Sequence, residues 1–285
     1  MAVSWKARRV SRSMGGNITL FVFLGLLSAF MVLPLVFVVV NAFKPLNELF
    51  VFPPKFYVIN PTLNNFRQLF QIMNGAWMPF SRYLFNTLVI TLTGTVGHIL
   101  LASLCAYSLS KIPFPGSGAV FQIIVLSLMF SPVVTTVPTY IIMSKIGLVD
   151  TLWAVILPAL QSSLGLYLIK QFLDTLPDTL LEAARIDGAG EMRLFLRIVM
   201  PNLKPAWLTL GILSIQSLWN IVSPYTYSEE LKTLPYALAQ ILSGGIARAG
   251  VGAAVTVLMM LVPIAIFVFS QSNIIDTMAS SGMKD

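Results

Sequence analysis

With 56% hydrophobic residues, 10% charged residues and a mean hydropathy of +0.83 over its 285 residues, the chain falls outside the composition of soluble domains and reads as an integral membrane protein. Its net charge of +7 and pI near 9.6 do not indicate a nucleic-acid partner, because the cations are scattered over head, loops and tail rather than gathered on one face, a distribution that suits lipid headgroups. The single cysteine, Cys105, sits inside an apolar run and excludes an internal disulfide.

Residues 1–17 form a basic head with Lys6, Arg8, Arg9 and Arg12 and no acid. The apolar run that follows, 18–43, is longer than a signal-peptide h-region and ends in no small-residue cleavage site, so it is expected to be retained as the first span. A span needs about 20 apolar residues, since a helix rises about 1.5 Å per residue through a hydrocarbon core about 30 Å thick. Residues 44–82 hold Pro45, Pro53, Pro54, Pro61 and Pro79 among aromatic residues and read as an extracytoplasmic loop with short helices, 64–73 being one. Further spans are expected at 83–108, 119–143, 152–172, 206–222 and 251–269, the third of the six kinked or partly unwound at Ser131, Pro132 and Pro138. An outer loop rich in turn residues occupies 223–250, and 273–285 is a short tail. Six spans put both termini on one side, and the basic head assigns that side to the cytoplasm. The expected fold is therefore all-α, six transmembrane helices with a core at 83–272.

The polar stretch 174–205, DTLPDTLLEAARIDGAGEMRLFLRIVMPNLKP, interrupts this pattern between the fourth and fifth spans and contains Asp174, Asp178, Glu182, Asp187 and Glu191. Pro177 suits a first helical turn and Asp178 the positive end of the helix dipole, so a helix is expected to start near Leu176. Leu180, Ala183 and Ala184 then form a small apolar face flanked by Glu182, Arg185 and Asp187, while Gly188 and Gly190 permit a tight turn. A second amphipathic segment, 192–199, brings Leu194, Phe195 and Ile198 back to the bilayer, with Pro201 and Pro205 marking the return. By periodicity alone the stretch is either a docking element or an amphipathic helix resting on lipid headgroups.

The run EAARIDGAG at 182–190, with Ile198 and Pro201 after it, resembles the EAA signature of ABC-transporter importer permeases. Trp219-Asn220, Thr233-Leu234-Pro235, Gln271 and Gly282-Met283-Lys284 extend the resemblance to the carbohydrate-uptake, maltose-type branch over nearly the whole chain. That resemblance implies a non-catalytic permease subunit of the bacterial plasma membrane, forming half of a translocation pathway with a second EAA-type permease as a heterodimer. Two copies of an ABC ATPase would bind ATP and Mg on the cytoplasmic side, and an extracytoplasmic solute-binding protein would deliver the solute. The absence of GxxxxGK[ST] from this chain agrees with placing the ATPase on another polypeptide. Glu182, Ala183, Ala184, Asp187, Gly188, Ala189, Gly190 and Pro201 would then form the ATPase-coupling element, and Met283, Lys284 and Asp285 a tail inserted between the ATPase subunits. Gly244, Gly245, Ile246, Ala247 and Arg248 would form a scoop entering the binding protein. The plain alternatives are a frayed terminus and an ordinary flexible loop.

Polar groups inside spans are costly and mark candidate pathway residues: Asn86, Gln161, Ser162, Ser163, Tyr167, Gln216, Trp219 and Asn220. Amides, hydroxyls and aromatic faces suit a sugar, although each of these residues would serve equally in bonds between helices. The one histidine, His98, reads as a packed, hydrogen-bonded residue, which leaves no metal site. A permease for glycerol phosphate or another polar solute is the nearest rival. An ATP-independent secondary transporter would be expected to carry intramembrane carboxylates, and a membrane enzyme would need a motif such as HExxH or GxSxG; neither is found.

Overall fold

The computed structural model describes residues 14–74 and 78–281, whose regular secondary structure is helical with no strand among them. The helices in chain order are α1 (Met14–Ala42), α2 (Leu46–Leu49), α3 (Asn64–Asn74), α4 (Phe80–Lys111), α5 (Ser117–Ser127), α6 (Pro132–Lys145), α7 (Trp153–Leu160), α8 (Ser163–Asp174), α9 (Asp178–Ile186), α10 (Glu191–Leu194), α11 (Met200–Asn202), α12 (Lys204–Trp219), α13 (Leu234–Leu242) and α14 (Ala249–Ser281). A π-helical turn, Phe195–Val199, joins α10 to α11. The basic head with Lys6, Arg8, Arg9 and Arg12, and the tail residues Met283, Lys284 and Asp285, lie outside the described residues.

Among the described residues, four helical stretches are long and apolar enough to cross a membrane: α1, α4, α7 with α8, and α14. A fifth is a bent pair, Glu191–Asn202 and Lys204–Trp219, with 76° between its halves. The predicted third span is two shorter helices, α5 and α6, separated at 128–131. Ser131 caps α6 by accepting the Val133 N–H at 3.4 Å, and Pro132 occupies the first turn, so the helix restarts where proline has no N–H to lose. The predicted fourth span is also interrupted, at Gln161 and Ser162 after Pro158.

The bundle is organised around α4, which packs against α7, α8 and α12. Much of its buried stripe is small or hydroxylated, with Thr87, Thr91, Gly94, Thr95, Ala102, Ser103 and Ala106 recurring at helical spacing beside Asn86, Ile90 and His98. Such residues let backbones approach closely in lipid, where no hydrophobic effect separates a leucine from an acyl chain. A Cβ on Gly94 would meet Leu218 Cδ1 at 2.7 Å, and one on Gly97 would meet Leu160 Cδ2 at 2.7 Å. At the centre His98 Nδ1 lies 2.8 Å from Ser214 Oγ, and Gly165 is the only residue size α8 accommodates there, because a Cβ would stand 2.2 Å from His98 Nε2.

Two apolar clusters close the ends. One gathers α4, α8, α9, the π-turn and α12 around Ile169, Leu173, Leu181, Leu194 and Val199. The other joins α3, α4, α13 and α14 around Leu69, Tyr83, Leu238 and Val255. The outer loop expected at 223–250 therefore contains a helix, α13, that periodicity had not revealed among its turn residues. The last helix likewise continues past the expected 251–269 and runs to Ser281.

Candidate functional site

The element that projects from the bundle is α9. It begins at Asp178, two residues later than expected, with Pro177 extended at the N-cap rather than inside the first turn. Its end follows from three residues: Gly188 adopts φ +79°, its N–H donates to Arg185 O at 3.0 Å, and the Ala189 N–H reaches back to Ala184 O at 3.0 Å. This is the Schellman arrangement, which requires a left-handed residue that glycine supplies without strain. Gly190, by contrast, has φ −73° and caps α10 in a conformation open to any residue.

One side of α9 is rooted in the protein. Leu181 is 1% exposed, and Ala184 and Ala189 pack on the same cluster as Ile169, Phe195 and Val199. This corrects the expected small docking face, since Ala184 belongs to the inner side. The outward side consists of Leu180, Glu182, Ala183, Ile186, Asp187 and Gly188, with Ile186 86% exposed. Ile186 is hard to assign from sequence because it stands between Arg185 and Asp187, yet its position three residues after Ala183 puts both on one face.

Polar ties fix the element to its neighbours. Lys111, at the end of α4, donates at 2.7 Å both to Leu176 O and to Asp178 Oδ1. Asp174 accepts from Lys170 at 2.8 Å and from Ser110. Beyond the glycine turn, Arg185 Nε donates to Glu191 Oε1 at 2.9 Å while Tyr107, rising from α4, donates to Glu191 Oε2. Pro201 sits in α11 after the π-turn, where the Asn202 amide donates to Ile198 O at 2.7 Å and the Trp207 indole to Met200 O at 3.2 Å. These side chains satisfy carbonyls that the irregular turn leaves open.

Inside the bundle a cavity of about 500 Å³ lies between α6, the α7–α8 break and α12. His98, Thr135, Thr136, Thr139, Gln161, Ser162, Ser214, Ser217, Ser223 and Tyr225 contribute its polar lining, and among the described residues no Asp, Glu, Lys or Arg lines it. A second, mostly apolar cavity of about 390 Å³ lies on the other side of the break and shares Gln161 and Ser162 with it, adding Ser163. Ser163 is paired with Ser127 at 2.6 Å. Of the expected pathway residues, then, Gln161, Ser162 and Ser163 come together at cavities. Asn86 instead donates to Glu230 O and Lys232 O, and the Trp219 indole donates to Met259 O at 3.0 Å. Tyr167 stacks on Phe121 with ring centroids 6.2 Å apart. Gln216 and Asn220 are exposed away from the cavity lining, and the Asn220 amide donates to Gln216 O at 3.0 Å. The threonines of α6 and the Ser214 and Ser217 pair were missed because single hydroxyls in a span also satisfy their own helix. Their three-residue spacings were the only available signal.

The far end of the cavity is closed by a corner at Asp150, a non-glycine residue at φ 62°. Its N–H donates to Tyr225 O at 2.9 Å, and its carboxylate accepts from the Tyr227 and Ser228 N–H groups at 2.7 and 2.9 Å and from the Ser228 hydroxyl. The Ser228 bonds depress its pKa. The residues expected to form a scoop make a compact corner. Gly245 has φ +79°, Ile246–Arg248 form one 3-10 turn, Ala247 is exposed, and the Arg248 stem crosses Gly244, where a Cβ would meet Arg248 Cδ at 2.4 Å.

Comparison with known proteins places this geometry. The profile of the binding-protein-dependent transport system inner membrane components matches residues 14–279. The arabinooligosaccharides transport system permease protein AraQ of Bacillus subtilis (strain 168) is 29% identical over 271 residues, covering 94% of this chain and 96% of AraQ. The sn-glycerol-3-phosphate transport system permease protein UgpE of Yersinia enterocolitica is 39% identical over 142 residues, half of either chain. A solved bacterial ABC transporter involved in the import of the acidic polysaccharide alginate shares the fold, with a TM-score of 0.78 at 19% identity over 92% of this chain and 98% of that one.

Proposed function

Because the chain belongs to the binding-protein-dependent transport system inner membrane components, we propose that it is the permease subunit of an ABC importer for an oligosaccharide or another neutral polyhydroxyl solute. The observation that carries the sugar reading is the cavity at the α7–α8 break, whose polar lining is hydroxyl and amide with one tyrosine and the His98 imidazole, and holds no Asp, Glu, Lys or Arg among the described residues. Hydroxyls and amides exchange hydrogen bonds with a sugar, and an aromatic face covers its C–H surface. A phosphorylated solute would call for Arg or Lys at bidentate range. The kinship with AraQ supports the same reading, and that with UgpE keeps glycerol phosphate as the rival solute.

In this reading the α9 end faces the cytoplasm, as do both termini. The outward face of α9 seats in a cleft of an ABC ATPase, two copies of which bind ATP and Mg. A second EAA-type permease completes the pathway, and an extracytoplasmic binding protein presents the solute at the α13 end. ATP-driven closure moves α9, and the move passes through Leu181 and the Lys111 and Tyr107 ties into α4, the helix on which the cavity walls pack. Coupling of this kind needs a difference in docking free energy between the two states of the ATPase pair. The test is reconstitution of the chain with its genomic partners in proteoliposomes. ATP-dependent uptake of a neutral oligosaccharide is expected. Uptake without ATP would overturn the importer reading, and uptake of glycerol phosphate alone would overturn the sugar.

A further inference from the structure

The loop between α1 and α3 presents large apolar side chains to its surroundings. Phe50, Val51, Tyr57 and Ile59 are exposed, and Phe52 is 91% exposed. Sequences of this kind usually collapse inward, but this one is held open by its own polar groups. Lys44, only 2% exposed, donates from Nζ to Asn41 Oδ1 at 3.0 Å and to Lys55 O. The Glu48 carboxylate accepts the N–H groups of Ile59 and Asn60 at 3.0 and 2.9 Å, and the Thr62 N–H donates to Phe43 O at 2.9 Å. Loop backbone that would otherwise need water is thereby satisfied from within. The Glu48 charge is also engaged with the loop, so from residue 49 to 59 the only charged side chain is Lys55, whose ammonium lies 5.7 Å from the Tyr57 ring centroid.

The position of the loop along α1 identifies what covers it. The Phe56 ring packs on Phe37 with centroids 5.3 Å apart. Phe37 precedes the last residue of α1 by five positions, about 7.5 Å back along the helix axis. The loop thus folds back beside the apolar surface of α1, which is exposed from Gly15 to Val36 and carries no charge. Tyr57 beside Lys55 suits the headgroup boundary, since its ring keeps the hydroxyl edge wet and the other edge in hydrocarbon, while the purely apolar phenylalanines gain by entering the hydrocarbon beside it.

We propose that residues 50–59 form an interfacial anchor that inserts Phe50, Phe52 and Ile59 into the headgroup and acyl boundary of the leaflet at the α13 end, in line with the exposed apolar surface of α1. The anchor fixes the depth and tilt of α1 and stands apart from the cavity and α9, so it does not depend on the solute. The experiment places a nitroxide at Phe52→Cys, and separately at Phe50→Cys, in a Cys105→Ser background. Each labelled transporter is studied in nanodiscs of phosphatidylethanolamine and phosphatidylglycerol, and Arg67→Cys on α3 serves as the reference. The ratio of collisions with oxygen to collisions with a water-soluble nickel chelate is expected to be several-fold higher at 52 and 50 than at 67, and unchanged by added binding protein. Equal ratios at all three sites would show a water-facing loop and overturn the proposal. A ratio that changes at 52 and 50 when binding protein is added would assign the surface to that protein and overturn it equally.

Discussion

Replacing Tyr107 by phenylalanine isolates the link between α9 and the bundle. The ring is 3% exposed and packs against Phe195 with centroids 5.7 Å apart, so phenylalanine preserves the packing and removes only the hydroxyl that donates to Glu191. A hydrogen bond to a charged acceptor contributes about 1.5–3 kcal/mol when desolvated. The Glu191 side chain is 50% exposed and retains Arg185, so water replaces part of what is lost and about 1 kcal/mol remains. That amounts to roughly a fivefold change in the balance between latched and unlatched forms. Solute uptake and phosphate release, measured together in proteoliposomes, should show uptake per ATP falling by up to about that factor. Hydrolysis in the absence of binding protein should rise. Glu191→Gln should act in the same direction. An unchanged ratio of uptake to hydrolysis in both variants would refute the role of this latch.

Gly165→Ala should prevent α8 from seating on α4, because the new Cβ would stand 2.2 Å from His98 Nε2 and 2.9 Å from Leu210 Cδ1. Overpacking of this kind costs about 1–3 kcal/mol and should lower the thermal midpoint, whereas Gly211→Ala, 3.5 Å from Ile99 Cδ1, should leave it unchanged. The corner at Asp150 should be sensitive to acid. Its folded pKa is depressed, chiefly by Ser228, so its contribution to stability is fully present above the unfolded carboxylate value of about 3.9 and is lost as pH falls through the lower folded value. Asp150→Asn should remove that acid-dependent part from a series of melting points against pH. Ser217→Leu should fill part of the cavity and raise the solute concentration for half-maximal uptake with the melting point unchanged.

Much of this architecture is legible in the amino-acid sequence because lipid imposes length and apolarity on every crossing helix. The run at 18–43 and the proline-rich loop after it correspond closely to α1, α2 and α3. The interruptions were harder to place. Ser131-Pro132 signalled one break, but the break at Gln161-Ser162 follows Pro158 by several residues and carries no glycine. The projecting helix α9 was legible in EAARIDGAG, yet which alanine faces outward depends on the tertiary contacts of Leu181, and periodicity over nine residues cannot decide between adjacent positions. Cavity residues were the least legible, since Thr136 or Ser217 on a helix looks the same in sequence whether it faces a cavity or a neighbouring helix.

The outward face of α9 as the seat of an ATPase is tested most directly by Ala183→Trp, which places a bulky ring on the exposed side and leaves Leu181 and Ala184 in the core. The tagged chain should be purified from membranes with its partners and the hydrolysing subunit retained on it quantified. The wild-type chain should carry that subunit, and the variant should reach the membrane with an unchanged melting point but lose both the subunit and uptake. Full retention and full uptake in Ala183→Trp would contradict the account.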